Sequence, residues 1–402
     1  MTRKDKKDNL PSAGEKSYQT KFIKKGKVLS ALGTETRKAK HTKKQQFFHH
    51  VKSMSRKKKK DTLRKSFLKK EKRYRIVRHQ KESPVVGILT IPNTIGKYKH
   101  THSYLPQSYI KWIEASSARV VPIQYDLPPP IIQTILGQCN GILFVGGQVD
   151  SGMISREYAD FMATVKLIFN YVRGENLRGN HYPIFAICLG FELLAMLKKN
   201  PNMNRIEKNY NKFIGISQVA GRHYAAQNIF VNNETRLAKI FTKKEREYQA
   251  NNPICVENHG LGFFPDAPYM TEYRKLWNIA SVAPENKPPK EARQYINMIE
   301  FKDFPFFGSQ FHPEKAIYEW LDPHIIHTPE AREFSLKIGD FFIEHCRKNN
   351  NILYTKSLLI YNYTLHSRSA ALKVLNPNTF IMKKNKSVFE TVYYFNIITR
   401  DN

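Results

Sequence analysis

Cys188 closes the run Tyr182-Pro183-Ile184-Phe185-Ala186-Ile187-Cys188-Leu189-Gly190-Phe191-Glu192. The apolar stretch reads as a short buried strand ending at the cysteine, Gly190 permits a tight turn, and residues 191–197 begin a helix. A thiol on such a turn is held toward a substrate at the positive end of a helix, and both features favour thiolate over thiol. It is the sulfur counterpart of the serine nucleophile elbow. A second run, Phe307-Gly308-Ser309-Gln310-Phe311-His312-Pro313-Glu314-Lys315, ends another strand-like stretch in His-x-Glu. A cysteine nucleophile needs an imidazole to take its proton and a third group to fix that ring's tautomer and orientation. His312 supplies the base. Glu314, two residues on in extended chain, projects to the same side and accepts the ring's other N–H. Singly, a cysteine after a strand is more often a small core residue and a loop histidine more often structural. The pair is far more specific than either.

Gly141-Ile142-Leu143-Phe144-Val145-Gly146-Gly147 is a third strand-like run, ended by two glycines. Glycines there bring backbone close to a ligand and turn N–H groups toward it. The N–H groups near Gly147, with that of Leu189, are candidates to stabilise the oxyanion of a tetrahedral intermediate. A plain strand-to-helix turn accounts equally well for the glycines taken alone.

The elements that must position these groups follow from the hydrophobic pattern. Strand-like runs recur at residues 85–90, 119–123, 141–145, 183–187, 278–282, 295–301 and 307–311. Helical periods fall at residues 104–117, 130–137, 157–173, 191–198 and 330–346. Strands alternating with helices predict an α/β fold: a three-layer, doubly wound, mostly parallel sheet covered by helices on both faces. In such sheets reactive groups gather beyond the carboxyl ends of strands, where all three motifs sit.

Together these motifs resemble the class I glutamine amidotransferase-like superfamily, and within it the gamma-glutamyl hydrolases. The resemblance covers roughly residues 84–396, more faintly toward the end. It rests on Gly87-Ile88-Leu89-Thr90, Ser108-Tyr109-Ile110-Lys111-Trp112-Ile113-Glu114, the Gly146-Gly147 pair, Cys188-Leu189-Gly190-Phe191-Glu192, Asn258-His259 and His312-Pro313-Glu314-Lys315. Pro106-Gln107 and Gln148 depart from the family pattern, near where the substrate should sit. The resemblance implies hydrolysis of γ-glutamyl bonds in folylpoly-γ-glutamates through a γ-glutamyl thioester. It implies Cys188, His312 and Glu314 as the catalytic set, and Gly146, His259, Glu192, Ser108 and Tyr109 around the substrate. His259 would meet the glutamyl α-carboxylate and Glu192 would pack behind the nucleophile. The chemistry requires no cofactor. Two other readings are a glutaminase subunit of an amidotransferase and a non-catalytic protein of an RNA-rich particle.

Charge divides the chain. Residues 1–82 carry 29 Lys and Arg against 7 Asp and Glu, so about +22 of the net +32 lies there, with Arg56-Lys57-Lys58-Lys59-Lys60 the densest run. This predicts a basic N-terminal extension over residues 1–82, disordered before residue 40 and weakly helical within 45–78. A catalytic domain over residues 83–396 and a tail over 397–402 follow. Candidate partners are the polyglutamate substrate, a second copy of the chain, and RNA or a nuclear import receptor through residues 1–82. The family resemblance points to vacuole, lysosome or the outside, yet no signal-peptide pattern opens the chain, and the basic run suits nucleus or nucleolus. No run reaches the ~20 apolar residues of a membrane span. Cys139, Cys188, Cys255 and Cys346 show no CxxC and no metal-ligand spacing, so their pattern predicts no metal site.

Overall fold

The computed structural model describes residues 81–93, 100–147, 156–199, 216–218, 223–286, 293–363, 365–367 and 390–397, with single positions between 58 and 69. The apolar runs become the middle of a sheet because all their residues are withdrawn from water. β1 (Val85–Leu89), β5 (Gly141–Phe144), β6 (Ile184–Ile187) and β14 (Phe306–Ser309) are buried along their whole length. Burial on both faces is what a continuous apolar strand without alternation requires. The eight-stranded sheet has the order β4 (Arg119–Ile123), β1, β5, β6, β14, β13 (Gln294–Phe301), β12 (Trp277–Pro284), β9 (Ile229–Phe230). Its first five strands run parallel. The last three each pair antiparallel to their neighbour.

Register assigns the helices to faces. Phe307 lies opposite Phe185 and Phe306 opposite Ile184, so Phe185 and Phe306 point to opposite sides. Phe185 packs on Trp112 of α1 (Gln107–Ala115) at 5.7 Å and on Phe342 of the long C-terminal helix (Pro329–Arg347) at 5.6 Å. Phe306 meets Phe169 at 5.8 Å, on the other face. Phe169 belongs to α3 (Arg156–Leu177), which packs against α2 (Pro129–Leu136). Helices therefore cover both sides, as the alternating pattern predicted.

One element begins later than its sequence suggests. A helix is expected from residue 104, but residues up to Pro106 form β3 (His102–Pro106). This strand belongs to a second sheet of order β15 (Leu365–Ser367), β16 (Thr391–Asn396), β3, β2 (Ile91–Pro92). Pro106 disfavours helical backbone at Leu105 and caps α1 with extended ψ of 138°. Two ladders complete the fold: β7 (Ile216–Gln218) with β11 (Leu261–Phe263), and β8 (His223–Ala226) with β10 (Cys255–Asn258).

The chain divides into residues 1–76 and 77–402. The basic extension and the weak helix expected in it fall outside the described residues, apart from scattered positions, as do Gln148 and residues 398–402. Among the described residues no helix is long and apolar enough to cross a membrane. All four cysteines are free and buried.

Candidate active site

The parallel pairing of β6 with β14 brings Cys188 and His312 to one edge. Ile187 pairs with Ser309, and the Cys188 N–H continues the ladder to the Ser309 carbonyl at 2.9 Å. The three residues after Ser309 then reach His312, whose N–H is anchored to the Val256 carbonyl of β10 at 3.2 Å. Cys188 itself has φ of +53°, the left-handed backbone that a non-glycine residue adopts only under constraint. α4 (Leu189–Lys199) starts at once, the Glu192 N–H bonding the Cys188 carbonyl at 3.1 Å. Gly190 lets this turn lie on β5. A Cβ there would meet the Phe144 carbonyl carbon and Cβ at 2.7 Å, and the Phe144 oxygen closer still. The expected elbow is present.

Nδ1 of His312 lies 2.8 Å from Glu314 Oε1, both side chains buried. The ring therefore donates Nδ1–H to the carboxylate, and Nε2, buried and without a hydrogen-bond partner, keeps its lone pair. Gly146 shows how close the sulfur residue is. The position a Cβ would take on Gly146 lies 2.6 Å from His312 Cε1 and 3.1 Å from Cys188 Cβ. The thiol points to the Asn258 carbonyl at 3.8 Å.

Burial pushes the Cys188 thiol far above the ordinary range, and the Glu192 carboxylate adds to the effect. The Leu189 N–H and the Lys315 ammonium act in the opposite direction and lose. The helix end expected to favour the thiolate is there, but Cys188 is only 5% exposed and burial acts against it. Burial likewise lowers His312 despite Glu314. Both shifts favour the neutral forms of thiol and imidazole.

Four of the residues expected around the substrate, Ser108, Tyr109, Gly146 and His259, are buried against other protein groups. The Tyr109 hydroxyl accepts the Gly146 N–H at 3.0 Å and lies 3.2 Å from His312 Nδ1. Tyr109 is fully buried beside His312. The Gly146 N–H is thereby engaged, which leaves Gly147, half-buried, as the glycine with an N–H to offer. His259 uses both ring nitrogens inward, Nδ1 on the Leu261 carbonyl at 2.6 Å and Nε2 on Glu257 at 2.9 Å. With its side chain 2% exposed, it has no nitrogen left for a substrate carboxylate. Ser108 is buried in α1, among the groups around the Glu319 carboxyl.

Glu192 is buried in the first turn of α4, close enough for its charge to act on the Cys188 thiol. Burial raises its carboxyl to about 7, against the His259 charge and a hydrogen bond from Gln310. The Gln310 Nε2 to Glu192 Oε1 distance is 3.3 Å. Gln310, Glu257 and Lys315 are functional neighbours that the sequence reading gave no role. Lys315 is a buried cation acting on both Cys188 and His312, and its place directly after His-Pro-Glu was the available signal.

A doubly wound sheet carrying a strained cysteine elbow beside a His–Glu pair defines a cysteine hydrolase of the class I glutamine amidotransferase-like fold. Comparison with known proteins narrows this. Residues 84–314 match the Peptidase C26 family. "Gamma-glutamyl hydrolase B" of Dictyostelium discoideum is 30% identical over 328 residues, covering 79% of this chain and 85% of that one. "Probable gamma-glutamyl hydrolase 3" of Arabidopsis thaliana is 29% identical, with 70% and 78% covered, and the human "Gamma-glutamyl hydrolase" 27%, with 70% and 85% covered. Among solved structures the chain is similar to the glutaminase domain of Trypanosoma brucei CTPS with bound acivicin, at 18% identity, TM-score 0.40 and coverage of 63% and 93%. The chain belongs to the Peptidase C26 family.

Proposed function

We propose that this chain hydrolyses γ-glutamyl bonds in poly-γ-glutamylated substrates, folylpoly-γ-glutamates first among them. Cys188 is the nucleophile, His312 the acid and base, and Glu314 the group that orients His312. The observation that carries this reading is the partnerless Nε2 of His312 beside the Cys188 elbow, with Nδ1 held by Glu314.

Because the thiol rests protonated, its proton moves to His312 Nε2 only as sulfur turns from the Asn258 carbonyl and attacks the γ-carbonyl carbon. The carbonyl oxygen takes up the negative charge, held by the N–H groups of Gly147 and Leu189. Each donor is worth roughly a hundred- to thousand-fold in rate. His312 then protonates the leaving nitrogen, the C–N bond breaks, and a γ-glutamyl thioester remains. Water attacks that thioester, giving its proton to His312, and the departing sulfur takes the proton back. Glu314 and Tyr109 hold the ring in one tautomer throughout. We place this activity in residues 83–396.

Incubating the purified chain with pteroylpolyglutamate, beside Cys188→Ala, tests the reading. Glutamate-containing products from the first protein and none from the second are expected. Ammonia released from free glutamine, with the polyglutamate untouched, would assign a glutaminase instead. RNA binding that vanishes on deletion of residues 1–82, with no hydrolysis, would assign a binding protein.

A further inference from the structure

Away from the thiol, folding assembles a cluster that no cysteine spacing announced. His223 on β8 and the turn Asp322-Pro323-His324 come together with one ligand atom from each side chain within 4.8 Å of the others. His223 Nε2 meets Asp322 Oδ2 directly. His324 Nδ1 lies 3.1 Å from Asp322 Oδ1, and the two imidazoles face each other with centroids 4.6 Å apart. Ligands about 2.0–2.1 Å from a tetrahedral metal ion stand roughly 3.3 Å from one another, so small rotations suffice to converge this set.

We propose that His223, Asp322 and His324 bind a divalent first-row transition metal ion, of which Zn²⁺ is the probe. Two imidazoles and one carboxylate, with remaining positions open to solvent, suit zinc, cobalt, nickel or copper and not the all-oxygen shells of Mg²⁺ or Ca²⁺. The turn is built to present its two donors together. Pro323 fixes the link, the His324 N–H bonds Asp322 Oδ1 at 3.0 Å, and the Ile325 N–H bonds the Asp322 carbonyl at 3.1 Å. The site is reachable, since the side chains of His223, Asp322 and His324 are 31%, 16% and 45% exposed.

Its position gives such an ion a purpose. His223 pairs across the β8–β10 ladder with Asn258, whose carbonyl receives the Cys188 thiol. Asp322 and His324 follow the segment of His312 and Glu314 by only a short helix, Lys315–Tyr318. A bound ion ties together the two stretches of chain that flank the sulfur. This inference does not depend on the substrate proposed above.

The test is calorimetric titration of Zn²⁺ into the full chain carrying Cys188→Ala, which removes the thiol's own affinity for zinc. The same background with His324→Gln, and separately with Asp322→Asn, provides the comparison. The half-exposed position of His324 makes its substitution compatible with folding, which circular dichroism checks. One equivalent of Zn²⁺ bound by the background and missing from both variants is expected, with Co²⁺ absorption bands lost in the same two proteins. Equal zinc stoichiometry in all three proteins would overturn the proposal and leave the cluster as a hydrogen-bonded turn.

Discussion

The Tyr109 phenol oxygen and His312 Nδ1 stand 3.2 Å apart although 203 residues separate them in the chain. The contact matters because the same phenol accepts the Gly146 N–H, so one buried group braces both the glycine turn and the imidazole. Burial, with the Glu314 charge, holds the phenol well above its usual range.

Tyr109→Phe removes that brace without changing shape. The buried Gly146 N–H loses its acceptor, a penalty of about 1–3 kcal/mol that should lower Tm. His312 also loses a neighbour at Nδ1, so the ring is held less firmly. We expect kcat to drop about tenfold, with KM little changed, because the phenol does not reach the substrate. Steady-state kinetics on a polyglutamate substrate decides: a raised KM at constant kcat would make Tyr109 a substrate contact after all.

Gly146→Ala is the steric counterpart. The new methyl would meet His312 Cε1 at 2.6 Å and the Tyr109 oxygen at 2.7 Å, closer than real side chains approach. Base and nucleophile must be displaced, and misplacement by about 1 Å costs on the order of a hundredfold in rate. The expected result is a folded protein by circular dichroism with kcat reduced by about that factor. Near-normal turnover would mean that His312 and Cys188 need not be so close.

How far the sequence reaches depends on whether a feature is local. β1, β5, β6 and β14 were legible because strands buried on both faces are uninterrupted apolar runs. The elbow at Cys188 was legible because Gly190 stands where backbone must pass against Phe144. β3 was not, since its partner β16 lies in the last dozen residues and no window around Tyr104 contains it. The types of Tyr109 and His259 marked the site, but their direction did not show. Both turn inward, to His312 and to Glu257. The upward push on the thiol was hidden for a related reason: a helix start is visible in sequence, and the depth of burial that opposes it is not.

The φ of +53° at Cys188 predicts an inverse relation between activity and stability. Left-handed backbone costs a residue with a Cβ about 1–2 kcal/mol, and glycine nothing. Cys188→Gly should therefore be inactive yet melt at a higher temperature than Cys188→Ala, which is equally inactive but keeps the strain. Thermal unfolding of the two variants side by side is the measurement. Equal melting temperatures would show that the elbow stores no strain.

Glu192 gives the site a pH dependence with a definite sign. Burial raises its carboxyl to about 7, so it is neutral below that pH and a carboxylate above it. Only the carboxylate opposes ionisation of the Cys188 thiol. Glu192→Gln fixes the neutral state at every pH. Iodoacetamide should therefore alkylate Cys188 at similar rates in both proteins near pH 5.5, where wild-type Glu192 is protonated as well. Above pH 7 the two should separate, with the variant faster, by about tenfold for each unit by which the wild-type carboxylate holds the thiol up. A rate ratio that stays constant from pH 5.5 to 8.5, or a wild type that reacts faster at high pH, would show that the charge on Glu192 does not act on the sulfur.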